Sequence, residues 1–187
     1  MKNNIKKMFF MAQKIQNKFP KFYLAGGTAL MFKYQHRIRY DLDFFNEKPF
    51  SFNNLSYKIR KFLTIENEEK GVDNIDFFID NIKISFVFFP FKNINKIEKY
   101  QEIKISSDYD IFLNKIYVAG RRIDIKDPFD IAFLFDKYKW NKIKIKKDFE
   151  TKFLNQSFEL YTGDVLNFTD YAGLDKKTKE ILSKSFL

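Results

Sequence analysis

Apolar residues recur along this chain with two periods, and the points where one period gives way to the other mark its elements. Ile5, Met8, Phe9, Ala12 and Ile15 fall on one stripe at helical spacing, which predicts an amphipathic helix over 4–18 that packs on a sheet. Pro20 closes it. Phe22 to Ala25 then reads as a short strand that runs into Gly26-Gly27, and a helix follows from Thr28 with Leu30, Met31 and Tyr34 on one side. From Tyr40 to Phe45 the pattern alternates. Side chains two apart share a face of a strand, so Asp41 and Asp43 point one way while Leu42 and Phe44 point into a core.

The pass continues in the same terms. Ser51 can cap a helix to about Lys61, with Leu55, Ile59 and Phe62 inward. Residues 62–67 are a candidate strand and 66–71 a polar turn. Strands over 74–79 and 82–89 flank Asp80-Asn81, a hairpin signal, and the second is apolar enough for a central position. Ile103 and Ile105 suggest an edge strand. Asp108 is the predicted cap of a helix over 109–119 that carries Ile111, Phe112 and Lys115, with Gly120 as its stop. A charged loop leads to Pro128 at the first position of a helix over 129–138. Beyond Trp140 the pattern gives a lysine-rich helix, a loop around Thr162-Gly163 and a last helix over 176–185.

Composition narrows the class. Hydrophobic residues make up 45% and aromatic residues 19%, which excludes a disordered chain and predicts an aromatic core. No cysteine is present, so disulfide frameworks and thiolate metal sites are excluded, and a reducing cytoplasm is the expected compartment. No signal peptide or transmembrane stretch is legible, so no membrane partner is expected. The formal charge of +10 is compatible with a nucleic-acid partner, although it comes mostly from lysines spread along a chain rich in Lys, Asn, Ile and Phe. Lys142, Lys144, Lys146 and Lys147 read as a solvated face.

Candidate chemistry sits in two blocks. In the first, Gly26-Gly27 offers bare backbone N–H groups at a helix N-terminus, where the dipole favours anions. One short helix later, Asp41 and Asp43 present like charges that a cation would relieve, and hard oxygen ligands on one face suit Mg²⁺ with phosphate oxygens and water. In the second block, Lys115 lies on a helix in apolar company. Snorkelling would explain a lone lysine there; beside a phosphate turn and a metal strand, a point-charge donor to a triphosphate is the better account. Asp127 reads as a helix cap. Asp130, one turn on, can orient Lys115 or a substrate hydroxyl.

The strings LAGGTAL, His36-Arg37 and DLDFF, with an apolar residue, Gly-Gly, about a dozen residues and then Asp-x-Asp between apolar residues, resemble the signature of the DNA polymerase β-like nucleotidyltransferase superfamily. The branch they resemble is the AbiEii/AbiGii-type family, which includes toxins of type IV toxin–antitoxin and abortive-infection systems. The segment Phe112 to Leu134 carries the other half: Lys115, the basic loop at Arg121 and Arg122, then Lys126-Asp127-Pro128-Phe129-Asp130.

The resemblance implies an α/β (α+β) fold with a short twisted mixed sheet flanked by helices, as one nucleotidyltransferase-like domain over 1–187 whose C-terminal part is helical from about 108. It implies an Mg²⁺- or Mn²⁺-dependent transfer of a nucleoside monophosphate from an NTP to an acceptor hydroxyl, such as one on tRNA, and a cognate antitoxin as partner. Asp41 and Asp43 would be the metal ligands and, with Lys115 and Asp130, the catalytic set. Gly26, Gly27, Thr28, Arg37, Lys115 and Asp127 would bind the nucleotide. His36 is a proton-shuttle candidate or a surface residue. A third carboxylate is expected on the strand around 84–86, where Ser85 stands. Either Asp41, Asp43 and the nucleotide hold the metals, or the general base lies elsewhere, or this copy is weak or inactive. The alternatives are a non-catalytic nucleotide- or RNA-binding module of the same fold and a small-molecule nucleotidyltransferase.

Overall fold

Asp80 and Asn81 both take positive φ, 53° and 60°, the signature of a two-residue turn whose twist matches that of its strands. The turn joins β4 (Asn74–Ile79) to β5 (Ile82–Phe88), paired antiparallel from Ile79 opposite Ile82 to Asn74 opposite Val87. A computed structural model describes residues 2–187 of the chain, and the chain divides into two compact units. One takes the chain as far as Lys92 together with Lys96–Ser106; the other takes Asn93–Asn95 and Ser107–Leu187.

The first unit contains α1 (Lys2–Lys18), β1 (Tyr23–Ala25), α2 (Gly26–Tyr34), β2 (Asp41–Asn46), α3 (Phe52–Arg60), β3 (Asn67–Lys70), β4, β5, β6 (Glu98–Tyr100) and β7 (Ile103–Ile105). Its strands form one seven-stranded mixed sheet in the order β3-β4-β5-β2-β1-β7-β6. β2 runs parallel to β5 and antiparallel to β1. Leu42, Phe44, Phe77, Ile84 and Phe86 are fully buried. Phe86 meets Phe44 at 5.6 Å, Phe22 at 4.9 Å and Phe19 at 5.6 Å between ring centroids. The aromatic core expected from composition is therefore present. Gln16 of α1 donates to the Lys104 carbonyl at 2.9 Å and accepts from the Lys104 N–H, so a buried amide docks α1 onto β7 in the manner of a strand.

Several sequence expectations are corrected. Residues 62–66 are not a strand, because Phe62 and Leu63 both donate to the Ile59 carbonyl at 2.8 Å and the chain stays curled at the exit of α3. The predicted polar turn at 66–71 contains β3, an edge strand paired only with β4. An edge strand tolerates charge because one side of its backbone and much of its surface stay wet, and Glu68 is held by Ser56 at 2.6 Å and Arg60 at 2.8 Å. β7 is not an edge, since it lies between β1 and β6.

The second unit is helical: α4 (Asp108–Ala119), α5 (Lys126–Tyr138), α6 (Lys142–Lys152), α7 (Phe158–Leu166) and α8 (Lys176–Phe186). Ser107, not Asp108, caps α4 and accepts from the Asp110 N–H. α5 begins at Lys126, so Pro128 is its third residue and Asp127 lies inside the first turn instead of capping it. Thr162 and Gly163 lie within α7, not in a loop; Gly163 faces open space, so its missing side chain leaves no packing gap. Tyr117 stacks on Phe153 at 4.3 Å, and Trp140 meets Tyr109 at 4.9 Å and Phe112 at 5.0 Å. The lysines at 142, 144, 146 and 147 are exposed, as expected. Lys152 is not.

Lys152 and Asp110 form a fully buried ion pair at 2.6 Å. Asp110 also accepts from Ser107 at 2.7 Å and from the backbone N–H groups of Ile94 at 2.8 Å and Asn95 at 2.9 Å. That carboxylate therefore straps 93–95 to the helical unit. A buried pair is destabilising to break even where it adds little net stability. Lys152→Ala should lower unfolding stability by about 3 kcal/mol, read as a drop in the urea midpoint, whereas Lys152→Met combined with Asp110→Leu should lose less than the sum of the two single changes.

Candidate active site

Leu42 and Phe44 are committed to the core face of β2, which leaves Asp41 and Asp43 on the other face. Asp41 lies beside Lys83 of β5 and Asp43 beside Ser85, in the parallel register of the two strands. Across β1, Asp43 is opposite Ala25, the residue before the glycine pair.

Gly26 takes φ +66°, a left-handed backbone that a side chain would strain, and a Cβ there would run into the Asp43 carboxylate. The strand-to-helix turn thus comes directly against Asp43. A Cβ on Gly27 would lie 2.6 Å from Nη2 of Arg37 and from Nε and Nη2 of Arg39. Two guanidinium groups therefore converge over the start of α2, where unsatisfied N–H groups and the helix dipole already favour an anion. Arg39 Nη1 also donates to Asp41 Oδ2 at 2.7 Å, and Arg39 is buried. The Thr28 hydroxyl donates to the Asp41 carbonyl, tying α2 to β2. That hydroxyl is occupied, so the backbone N–H is what Thr28 has to offer a phosphate.

Sequence reasoning missed three residues here: Arg39, Lys83 and Asp76. Asp76 reads from sequence as a strand-edge residue, but it sits mid-strand in β4 and is 5% exposed. Asp80, by contrast, is a turn residue, as expected. Asp43, Ser85 and Asp76 form one lateral row across β2, β5 and β4. Asp76 Oδ2 pairs with Lys83 Nζ at 2.6 Å, and its other oxygen accepts from Asn74 at 2.9 Å. Burial pulls the pKa of Lys83 down, but the bond to Asp76 and the charges of Asp76, Asp43 and Asp41 outweigh it and leave it raised.

The helical unit holds a second cluster. Lys115 Nζ lies 2.5 Å from Asp127 Oδ1 and 3.1 Å from Asp130 Oδ2, and both carboxylates are fully buried. Arg122 Nε reaches Asp127 Oδ2 at 3.0 Å from a half-exposed position. Lys115 and Asp130 come together as expected, and Asp127 joins them. Removing Lys115 would strip an ammonium from two buried carboxylates, so Lys115→Ala should cost folding stability.

A glycine turn closing on paired carboxylates, on a mixed sheet flanked by helices, defines a nucleotidyltransferase-type α/β protein. More narrowly, the chain belongs to the family of the nucleotidyl transferase AbiEii toxin of type IV toxin–antitoxin systems, whose model matches residues 10–180. An uncharacterized protein of Aquifex aeolicus (strain VF5) is 34% identical over 153 residues, 80% of this chain and 74% of that one. Two Helicobacter pylori proteins share the fold. One, provisionally assigned as a nucleotidyltransferase, superposes with a TM-score of 0.60 at 17% identity and covers 98% of this chain and 93% of that chain. The other, JHP933, gives 0.55 at 16% identity with 98% and 92% coverage. No helix among the described residues is long and apolar enough to cross a membrane.

Burial alone would raise the Asp127 carboxyl. The charges of Lys115 and Arg122, with the hydrogen bonds from both, outweigh it and hold the group below its ordinary 3.8. A depressed carboxyl contributes stability above its unfolded pKa and loses it as pH falls through the lower folded value. Stability should therefore be flat in this respect from pH 7 to about pH 5 and fall below about pH 4. Asp127→Asn should be less stable at neutral pH and show a shallower acid limb, measured as urea midpoints across pH.

Proposed function

We propose that this chain transfers a nucleoside monophosphate from an NTP to an acceptor hydroxyl, with a divalent cation, Mg²⁺ or Mn²⁺, held by Asp41 and Asp43. The observation that carries the reading is the contact between the Gly26 turn and the Asp43 carboxylate on the face that also bears Asp41. It brings a helix start suited to anions directly against one hard oxygen ligand, on the strand face that carries a second. The donor set fits the ion: two carboxylates on one strand face and no thiolate. Among the described residues no three His, Cys, Asp or Glu side chains converge to hold a metal, so the remaining ligands in this reading are phosphate oxygens and water. The bound cation neutralises charge that develops on the phosphates.

The chain's own residues do the rest. The N–H groups of Gly27 and Thr28 bind phosphate oxygens, and Arg37 and Arg39 bring positive charge to the same helix start. Arg39 holds Asp41 in orientation while it screens the repulsion between the two carboxylates. The acceptor oxygen bonds to the α-phosphorus, the bond from that phosphorus to the bridging oxygen breaks, pyrophosphate leaves, and the hydroxyl proton passes to water. In the helical unit Asp127 and Asp130 order Lys115, a residue that the family resemblance gives as a nucleotide-binding point charge. The charge of +10 favours an anionic acceptor such as the end of a tRNA. In line with its family, the chain would act as a toxin countered by a cognate antitoxin.

The test combines transfer with melting. Labelled NTP, Mg²⁺ and total tRNA should give labelled RNA with the wild type and none with Asp43→Asn. Without metal, Asp43→Asn should melt at or above the wild-type temperature, because it removes a like charge. With Mg²⁺ and nucleotide at ten times the dissociation constant, the wild type should gain about 1.4 kcal/mol, roughly 3–6 °C, and the variant nothing. An equal Mg²⁺ response in both would place the ion elsewhere. Binding of NTP without any transfer would leave a nucleotide-binding module.

A further inference from the structure

Phosphoryl-transfer sites that use two metals place them roughly 3.5–4 Å apart, one for the attacking oxygen and one for the leaving oxygen. The face around Asp41 and Asp43 offers a different arrangement. Asp43 has Ser85 beside it, and a hydroxyl is a poor substitute for a carboxylate in holding a divalent ion. The nearest carboxylate in that row is Asp76, two strands from Asp43, which is roughly 9–10 Å between backbones. Its Oδ2 already carries the Lys83 ammonium at 2.6 Å. Lys83 is the direct cross-strand neighbour of Asp41.

We propose that Lys83 supplies the second positive charge of this site, so that the face takes one divalent cation and a tethered ammonium where a two-metal site takes two ions. The inference rests on the nucleotidyl-transfer reading and deepens it. Three features of the face support it. Lys83 lies in register with one of the two metal-binding carboxylates and is anchored from behind by the third acidic group of the face. Its side chain is 42% exposed, so the ammonium can turn toward a phosphate without leaving the sheet. The ammonium is a compact point charge with three donors, suited to an oxygen that gains charge as a bond breaks. Asp76 is a positioning residue in this account: it holds Lys83 and touches neither metal nor nucleotide.

Metal stoichiometry tests this independently of turnover. Mn²⁺ is titrated by electron paramagnetic resonance into the full chain with a saturating NTP analogue that has a methylene between the α- and β-phosphates, corrected for ion bound by the analogue alone. Wild type and Lys83→Arg should each bind one Mn²⁺ per chain. Lys83→Met, which frees Asp76 and removes the tethered charge, should bind a second. Two ions on the wild type would overturn the inference while leaving nucleotidyl transfer intact. One ion on both wild type and Lys83→Met would overturn it too. No ion on the wild type would remove the nucleotidyl-transfer reading along with it. The wild-type count does not depend on how any variant folds.

Discussion

A side chain on a strand can face only two ways, and Leu42 and Phe44 decide the matter for Asp41 and Asp43. Both apolar residues are fully buried beside Ile84 and Phe86. A slip of one residue would send them into water and drive two carboxylates into an aromatic core. The register of β2 against β5 is therefore fixed by hydrophobic burial, and everything on the other face inherits it. Ala25 meets Asp43 because β1 pairs with β2 in that same register. Gly26 closes on the carboxylate because it follows Ala25. The chemistry of the face is positioned by groups that take no part in it.

Several partly or wholly buried carboxylates on the two units share one device, a cation laid beside them. Arg39 takes Asp41, Lys83 takes Asp76, Lys115 takes Asp127 and Asp130, and Lys152 takes Asp110. The settings differ. Lys152 and Asp110 are sealed from water and satisfied by further N–H and O–H donors, which suits a structural strap. Asp41 and Lys83 stay accessible, at 35% and 42% side-chain exposure. Their partners Arg39 and Asp76 are buried, at 7% and 8%, so one member of each pair can turn to a new partner at the surface, whereas in the sealed pair neither can.

Local pattern made much of this legible in the sequence. The alternation in 40–45, the Gly-Gly turn and the Asp80-Asn81 hairpin each rest on a few adjacent residues. The two-residue turn even fixes which residues oppose one another: pairing Ile79 with Ile82 forces Asp76 opposite Ser85. The third carboxylate of the face thus follows from the hairpin, although Asp76 taken by itself reads as a strand-edge residue. The bond from Gln16 to Lys104 spans 88 positions and has no local signature. Neither does the choice of Lys152, from a helix full of exposed lysines, as the one that is buried. β3 escaped because an edge strand has only one side to bury, so its composition is that of a turn. α7 escaped because Gly163 breaks the pattern without breaking the helix.

The three residues 93–95 have a consequence for how the chain can be divided. They belong with the helical unit through Asp110, yet the chain then returns to the sheet for β6 and β7 before it enters α4. Neither unit is a continuous stretch of polypeptide. A fragment that starts at Ser107 leaves Asp110 without two of its N–H donors, and one that ends at Lys92 leaves β1 without its neighbour β7. During synthesis the strap emerges before the carboxylate that receives it, and the sheet is complete only after the strap has been made. The two units are therefore interleaved in the gene as well as in the fold, and neither can be moved as a cassette, swapped between relatives or trimmed away by a single cut.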